Sequence, residues 1–224
     1  LKHTVILFDI NETVLNLSAL WPKFESAFGS QSFTDTWFAM LLHSSTVSMI
    51  TGVKTDFATL SKIALETLAA KQGVPLSAET SADILGGFAN LPAHADIKPA
   101  LAKLRSAGFQ TVAFSNSSLG LVSKQISNAG LNDYFDEVIS VEEAETFKPN
   151  PQAYNYVAEK LGRDVTQLRL VATHDWDTHG AMSAGLKAAY INRAGALYNP
   201  LYKQTDISEA TMMDVAEQII ATDL

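Results

Sequence analysis

Five short apolar runs stand out along the chain: TVILF (4–8), FQTVAFS (109–115), DEVIS (136–140), LRLVAT (168–173) and KAAYIN (187–192). Each has the length of a buried strand, and helical patterns lie between the later ones. Within residues 98–107, Ala100, Leu101 and Leu104 share one face. Within 118–129, Leu121, Val122, Ile126 and Ala129 do so, and Gly130 follows as a stop signal. Residues 151–161 carry Tyr154, Val157, Ala158 and Leu161, again closed by a glycine, Gly162. Strands alternating with helices of this length predict an α/β fold with a parallel sheet covered on both faces.

The interval 16–93 breaks the alternation and reads as helix after helix. Leu20, Phe24 and Phe28 give one apolar stripe, and Trp37, Leu41 and Leu42 begin another. Phe57, Leu60, Ile63, Ala64 and Leu68 give a third, ended by Gly73 and Pro75, and a last helix covers 77–89. The pattern predicts a helical lid inserted after the first strand, with the alternative that these are extra core helices. The domain division is then 1–15 and 94–224 for the core and 16–93 for the cap.

Composition narrows the partners. The 224 residues are 47% hydrophobic, enough for one full-size domain with an insertion. The net charge of -8 and the lack of Lys/Arg runs argue against nucleic acid and anionic membrane surfaces. No apolar run reaches the ~18 residues of a membrane span. There are no cysteines, so disulfides, thiolate metal sites and cysteine nucleophiles are excluded. With no secretory leader in view, a cytoplasmic setting is expected. Apolar cap surfaces make a homodimer reasonable.

Ligands of open parallel sheets bind beyond the C-terminal strand ends. The first strand there runs into Asp9, followed by Asn11 and Thr13. The second ends in Ser115, Asn116, Ser117 and Ser118. The loop after the third carries FKPNPQAY with Lys148 and Tyr154, and the fourth leads to Thr173, His174, Asp175, Trp176 and Asp177. Folded as predicted, a carboxylate, a hydroxyl, an ammonium and a second carboxylate share one crevice suited to a small anionic molecule.

The ordered set FDINET, FSNSS, FKPNP and HDWDTHGA resembles the four motifs of the haloacid dehalogenase (HAD) superfamily, over nearly the whole chain. It is most similar to the type II (S)-2-haloacid dehalogenases. Their KPxPxxY pattern is matched by Lys148, Pro149, Pro151 and Tyr154, their SN pair by Ser115 and Asn116, and their Trp-Asp pair by Trp176 and Asp177. The resemblance implies a Rossmann-like core with an inserted helical cap and hydrolysis of short 2-haloacids through an aspartyl ester. It casts Asp9 as nucleophile, Lys148 as the cation that keeps it ionised, Thr13 as its hydrogen-bond donor and Asp177 as the partner of Lys148. Asn11, Ser115, Asn116, Ser117, Tyr154, Phe38 and Trp176 would line the substrate site. Related phosphatases carry a second aspartate, which protonates the leaving alkoxide, where this chain has Asn11. They also bind Mg²⁺ with an acid where it has Thr173. A halide needs no proton on leaving, so no metal or other cofactor is implied. Mg²⁺ is expected only under the phosphatase alternative. A non-catalytic binding protein is the third reading.

Two departures from the family's pattern stand out. The arginine that receives halide is replaced by Phe38, and residues 24–53 hold no arginine or lysine. His43 or the aromatic edges of Trp37 and Phe38 are candidate substitutes. His174 replaces an asparagine, and an imidazole with a pKa near neutrality could serve as the base for ester hydrolysis, or simply hold nearby backbone. Ala172 also replaces a serine. Asp175, His179, His94 and Arg193 read as structural or exposed.

Overall fold

The computed structural model describes residues 5–224; Thr4, part of the first expected strand, lies outside them. Six strands form one parallel sheet: β1 (Val5–Phe8), β2 (Gln110–Ser115), β3 (Glu137–Ser140), β4 (Leu168–Ala172), β5 (Lys187–Ile191) and β6 (Ile207–Glu209). Their order is β3-β2-β1-β4-β5-β6. β1 is fully buried between β2 and β4, with Phe8 beside Ala113 and Val171. Strand order reverses at β1, which places a ligand crevice beyond its C-terminal end. Both faces of an inner parallel strand are covered, which explains the unbroken run VILF.

Four helices follow β1: α1 (Trp21–Phe28), α2 (Phe33–Thr51), α3 (Phe57–Gln72) and α4 (Ala78–Phe88). Gly29, Gly52 and Gly73 close the first three in the left-handed conformation that glycine adopts without Cβ strain. Phe24, Trp37 and Phe88 pack ring against ring inside this group. The two crossings to the sheet lie side by side: Asn16 N donates to Pro92 O at 2.8 Å and His94 N to Val14 O at 3.0 Å. Of the apolar stripe expected on α3, Ile63 is exposed while its other members are buried.

The sheet is flanked by α5 (Ile97–Ser106), α6 (Leu119–Asn128), α7 (Pro151–Lys160), α8 (Asp175–Ser183) and α9 (Met212–Asp223). The strands and helices expected from the apolar pattern occur within a residue or two of their expected limits. β6, α8 and α9 have no counterpart in that expectation. Three residues of strand are too short to show alternation, and α9 docks through Met212, Val215, Ala216 and Ile219.

Candidate active site

Asp9 follows β1 directly and is nearly enclosed. Its Oδ1 accepts from Lys148 Nζ at 2.9 Å, and its Oδ2 accepts from Thr13 Oγ1 at 2.7 Å. Thr13 Oγ1 in turn accepts from Thr173 N at 3.0 Å, so the hydroxyl hydrogen is committed to Asp9. Lys148 is buried and spends its three hydrogens on Asp9, on Asp177 Oδ2 at 2.6 Å and on Phe114 O at 3.3 Å. Tyr154 donates its hydroxyl to Asp177 Oδ1 at 2.6 Å. Lys148 and Thr13 thus hold Asp9 directly, while Asp177, itself held by Tyr154, holds Lys148.

Local sequence explains the convergence. Pro151 at the first turn and Asn150 as side-chain cap start α7, which carries Tyr154 under the site. Gly180 lets α8 approach the Lys148–Pro149 loop: a Cβ there would stand 2.5 Å from Pro149 Cβ and 2.7 Å from the Tyr154 hydroxyl. Asn116 Oδ1 accepts from Lys148 N at 2.8 Å and pins the lysine backbone.

The second arm is built on His174. Its Nδ1 lies 3.1 Å from Asp9 Oδ2, and its Nε2 lies 2.7 Å from Glu12 Oε2. An imidazolium, with hydrogen on both ring nitrogens, satisfies both of these contacts. The ring is sandwiched between Trp176 at 5.2 Å and Phe38 at 6.2 Å between centroids. Glu12 holds a left-handed backbone with φ of 67°, a conformation uncommon for a residue with a Cβ. His94 Nε2 lies 2.9 Å from the Glu12 carbonyl oxygen, and Arg193 Nε donates to Thr13 O at 3.0 Å, which fixes this turn.

These contacts set the charges. Burial pushes the Asp9 carboxyl up, but the Lys148 charge and the His174 and Thr13 hydrogen bonds outweigh it. Asp9 is held well below the usual carboxylate range. Burial would lower His174, yet hydrogen bonds to Asp9 and Glu12 and their charges raise it to about 10. Burial likewise opposes the Lys148 charge, and Asp177 and Asp9 together push its pKa up. Tyr154 is raised well above its ordinary value by burial and by Asp177, so it remains a donor.

The residues singled out in the sequence divide into three groups. Asp9, Thr13, Lys148, Asp177 and His174 form one connected cluster. Asn11, Ser115 and Ser117 form a polar wall: Asn11 Nδ2 donates to Ser117 Oγ at 3.3 Å and Ser117 N to Ser115 Oγ at 3.1 Å. Tyr154 and the Asn116 side chain differ from expectation. The Tyr154 hydroxyl is committed to Asp177 and the Asn116 Oδ1 to the Lys148 backbone, so both support the cluster through another residue, and Asn116 also lines the adjoining cavity. His174 differs too, because it is charged at neutral pH in this state. Among the suggested replacements for the missing arginine, Trp37 is buried with its Nε1 donating to Ser61 O at 2.9 Å, and His43 is exposed. Glu12 was not singled out by any spacing rule. The one available signal was an acidic residue three places after Asp9, in the turn that holds the other polar groups.

Two cavities flank the cluster. One of about 240 Å³ lies between α2, α3 and the core, lined by Met49, Val53, Phe57, Phe147 and Asn116. Another of about 330 Å³ borders His174 and Glu12 and is lined also by Asp35, His94 and Arg193. A divalent cation does not fit the donor set at Asp9. Lys148 stands between Asp9 and Asp177, and among the described residues no group of three or more His, Asp or Glu side chains could hold a metal ion.

A parallel sheet that presents a lysine-paired aspartate at its crevice, below a helical insert, defines a Rossmann-like α/β hydrolase architecture. The chain belongs to the haloacid dehalogenase-like hydrolases, whose family model matches residues 3–171. It is 23% identical over 214 residues to an (S)-2-haloacid dehalogenase of Pseudomonas sp. (strain YL), covering 95% of this chain and 92% of that one. It is 27% identical over 190 residues to an (S)-2-haloacid dehalogenase of Xanthobacter autotrophicus, covering 84% and 74%. The fold superposes on a Xanthobacter autotrophicus L-2-haloacid dehalogenase with chloropropionic acid covalently bound. The TM-score is 0.88 at 22% identity, over 98% of this chain and 99% of that one.

Proposed function

We propose that the protein hydrolyses short (S)-2-haloalkanoic acids to 2-hydroxy acids through an ester on Asp9. The observation that carries this reading is the setting of Asp9. One oxygen is paired with Lys148, the other faces Thr13 and His174, and no second acid stands two residues on. Asp9 attacks the α-carbon in line, a C–O bond forms, and the C–X bond breaks with its electron pair leaving as halide. Attack of one anion on another requires fixed positive charge, which Lys148 and the imidazolium of His174 supply. The imidazolium, stacked on the Phe38 that stands where the family has the arginine, is our candidate for receiving the halide.

Alkylation turns Asp9 into a neutral ester and removes one of the two charges that raise the His174 pKa. The imidazolium then releases its Nδ1 proton to solvent. Glu12 keeps the Nε2 hydrogen, so Nδ1 faces the ester as a base. Water attacks the ester carbonyl, giving its proton to Nδ1. Collapse expels the product alkoxide, which takes up the hydroxyl proton of the former carbonyl carbon. Asp9 returns as carboxylate, and each turnover releases one proton and one halide. Asp177, held by Lys148 and Tyr154, keeps the ammonium in place.

The reading includes a core of residues 1–15 and 94–224 with a cap of 16–93, metal-independent turnover and a cytoplasmic setting. It also includes a homodimer through the exposed Val47, Ile50 and Ile63 of α2 and α3. No helix of the described residues is long and apolar enough to cross a membrane. Incubation with (S)-2-chloropropionate, with and without a chelator, tests the function. Halide release insensitive to chelation supports it. Phosphate ester turnover that requires Mg²⁺, without halide release, would establish the phosphatase alternative instead.

A further inference from the structure

Helix α6 carries two amides one turn apart, Gln125 and Asn128, and both grip the segment by which the chain returns from α4 to the sheet. Asn128 Nδ2 donates to Ala89 O at 3.0 Å and to Asn90 Oδ1 at 2.7 Å. Gln125 is fully buried and divides its two hydrogens differently. One goes to Phe88 O at 3.0 Å, and the other goes to Asn11 Oδ1 at 3.1 Å. Both partners are acceptors, so the orientation of the Gln125 amide is fixed, and its Oε1 is left buried without a partner. A buried amide that leaves one polar atom unpaired is costly, and such a group calls for an explanation.

The consequence is directional. Gln125 occupies the Asn11 oxygen, so the Asn11 amide hydrogens point the other way, to Ser117 Oγ at 3.3 Å. Ser117 is fixed at its other polar atoms: its N donates to Ser115 Oγ, and its carbonyl accepts from Ser140 Oγ at 2.6 Å. Its hydroxyl oxygen accepts from Asn11, which leaves the hydroxyl hydrogen to donate elsewhere. Phe88, whose carbonyl Gln125 holds, also packs against Phe38, the ring stacked on His174.

We propose that Gln125 is a positioning residue that ties the returning segment of the helical insert to Asn11 and thereby presents the Ser117 hydroxyl as a donor to the substrate carboxylate. The clasp itself follows from the contacts, and the identity of the anion rests on the proposed haloacid reading. The neutral amide two residues after Asp9 is then more than a missing acid. It is the middle link of a chain of donors that begins on α6.

Two readouts test this. Amide hydrogen exchange is followed over residues 9–13 and 88–93, and KM and kcat are measured with (S)-2-chloropropionate. Gln125→Met, close in length but without donors, is expected to speed exchange in both segments. It should raise KM about tenfold with kcat changed by less than about threefold, the scale of one lost hydrogen bond to a charged group. Gln125→Glu, which keeps the shape, should act in the same direction. Asn128→Ala should speed exchange at 88–93 alone and leave KM unchanged. Adding Gln125→Met to Asn11→Ala should raise KM no further. Unchanged exchange at 9–13 in both Gln125 variants, or KM effects of Asn11→Ala and Gln125→Met that multiply, would overturn the proposal. Absence of halide release by the unmodified protein would instead fail the haloacid reading, while the exchange comparison still decides the clasp.

Discussion

The sheet holds a buried cation between two aspartates at each of its ends, and the two clusters differ in what they leave free. Strand β4 serves both. Near its start, Arg169 is fully buried and donates through Nε and Nη2 to Asp223 at 2.6 and 2.8 Å. It reaches Asp206 through Nη1 and Nη2 at 2.6 and 3.0 Å, and Ala188 O at 3.0 Å. All five guanidinium hydrogens are used, in two forked pairs that match carboxylate geometry. Beyond the other end of β4, Lys148 bridges Asp9 and Asp177 as a point charge. A lysine takes one oxygen of each partner. The second oxygen of Asp9 therefore faces Thr13 and His174. The arginine cluster staples β6 and α9 to the sheet, whereas the lysine cluster keeps a carboxylate ionised and oriented and leaves its second oxygen to Thr13 and His174.

Breaking the comparison at its most sensitive point means removing Asp9 and each of the two buried cations in turn. Asp9→Asn should abolish halide release, a loss of at least about 10⁴-fold, with the fold retained. Lys148→Met should cost about 10²–10³ in kcat, the worth of a group aimed at charge in the transition state. Arg169→Met should spare activity. It should destabilise the protein by about 3–5 kcal/mol in denaturant unfolding, because Asp223 is left buried without its cation, while kcat/KM of the folded fraction stays unchanged. Equal activity losses at Lys148 and Arg169 would erase the distinction.

His174→Asn sharpens it at the next level. Halide release in the first turnover should slow, because the cation that receives the halide is lost, but ester hydrolysis should slow further, by about 10²–10⁴, the usual worth of a general base, so that Asp9 carries the added mass of the acid. Intact-protein mass spectrometry reads this directly. Equal slowing of both steps would count against the base. The same residue sets a pH dependence. A pKa raised to about 10 from 6.5 means that His174 contributes stability that is fully present below pH 6.5 and is lost as pH rises through about 10. Thermal midpoints should fall over that window in the parent and fall less in His174→Asn. The smallest effect is expected at Lys54→Ala, whose partner Glu145 and own side chain are both largely exposed, so the unfolding midpoint should not move measurably.

Much of this was legible in the chain itself, for identifiable reasons. VILF is a continuous apolar run, and LVA of β4 another, because inner parallel strands are buried on both faces, and each run ends where the polar residues of the crevice begin. Asp9, Lys148 and Asp177 could be placed together because motif order fixes them at neighbouring strand ends. Glu12 could not, since its alliance with His174 spans 162 positions and depends on a left-handed turn at a residue other than glycine. The charge of His174 was hidden for the same reason, because an imidazole between two carboxylates differs from one beside backbone. Gln125 lies on the core-facing side of an amphipathic helix, where spacing marks a position as buried without showing which polar groups it meets. Arg169 sits inside an otherwise apolar strand, and its partners come from α9 and the residue before β6, in a stretch whose elements the apolar pattern did not reveal.

The central claim is that Asp9 bonds covalently to carbon and that water then attacks its carbonyl. A single turnover with enzyme in excess over (S)-2-chloropropionate in ¹⁸O-labelled water tests it most directly. The account predicts one ¹⁸O atom in the Asp9 carboxylate and unlabelled oxygen in the hydroxyl of the product lactate. Label in that hydroxyl, with none on Asp9, would mean that water displaces the halide itself and would contradict the ester.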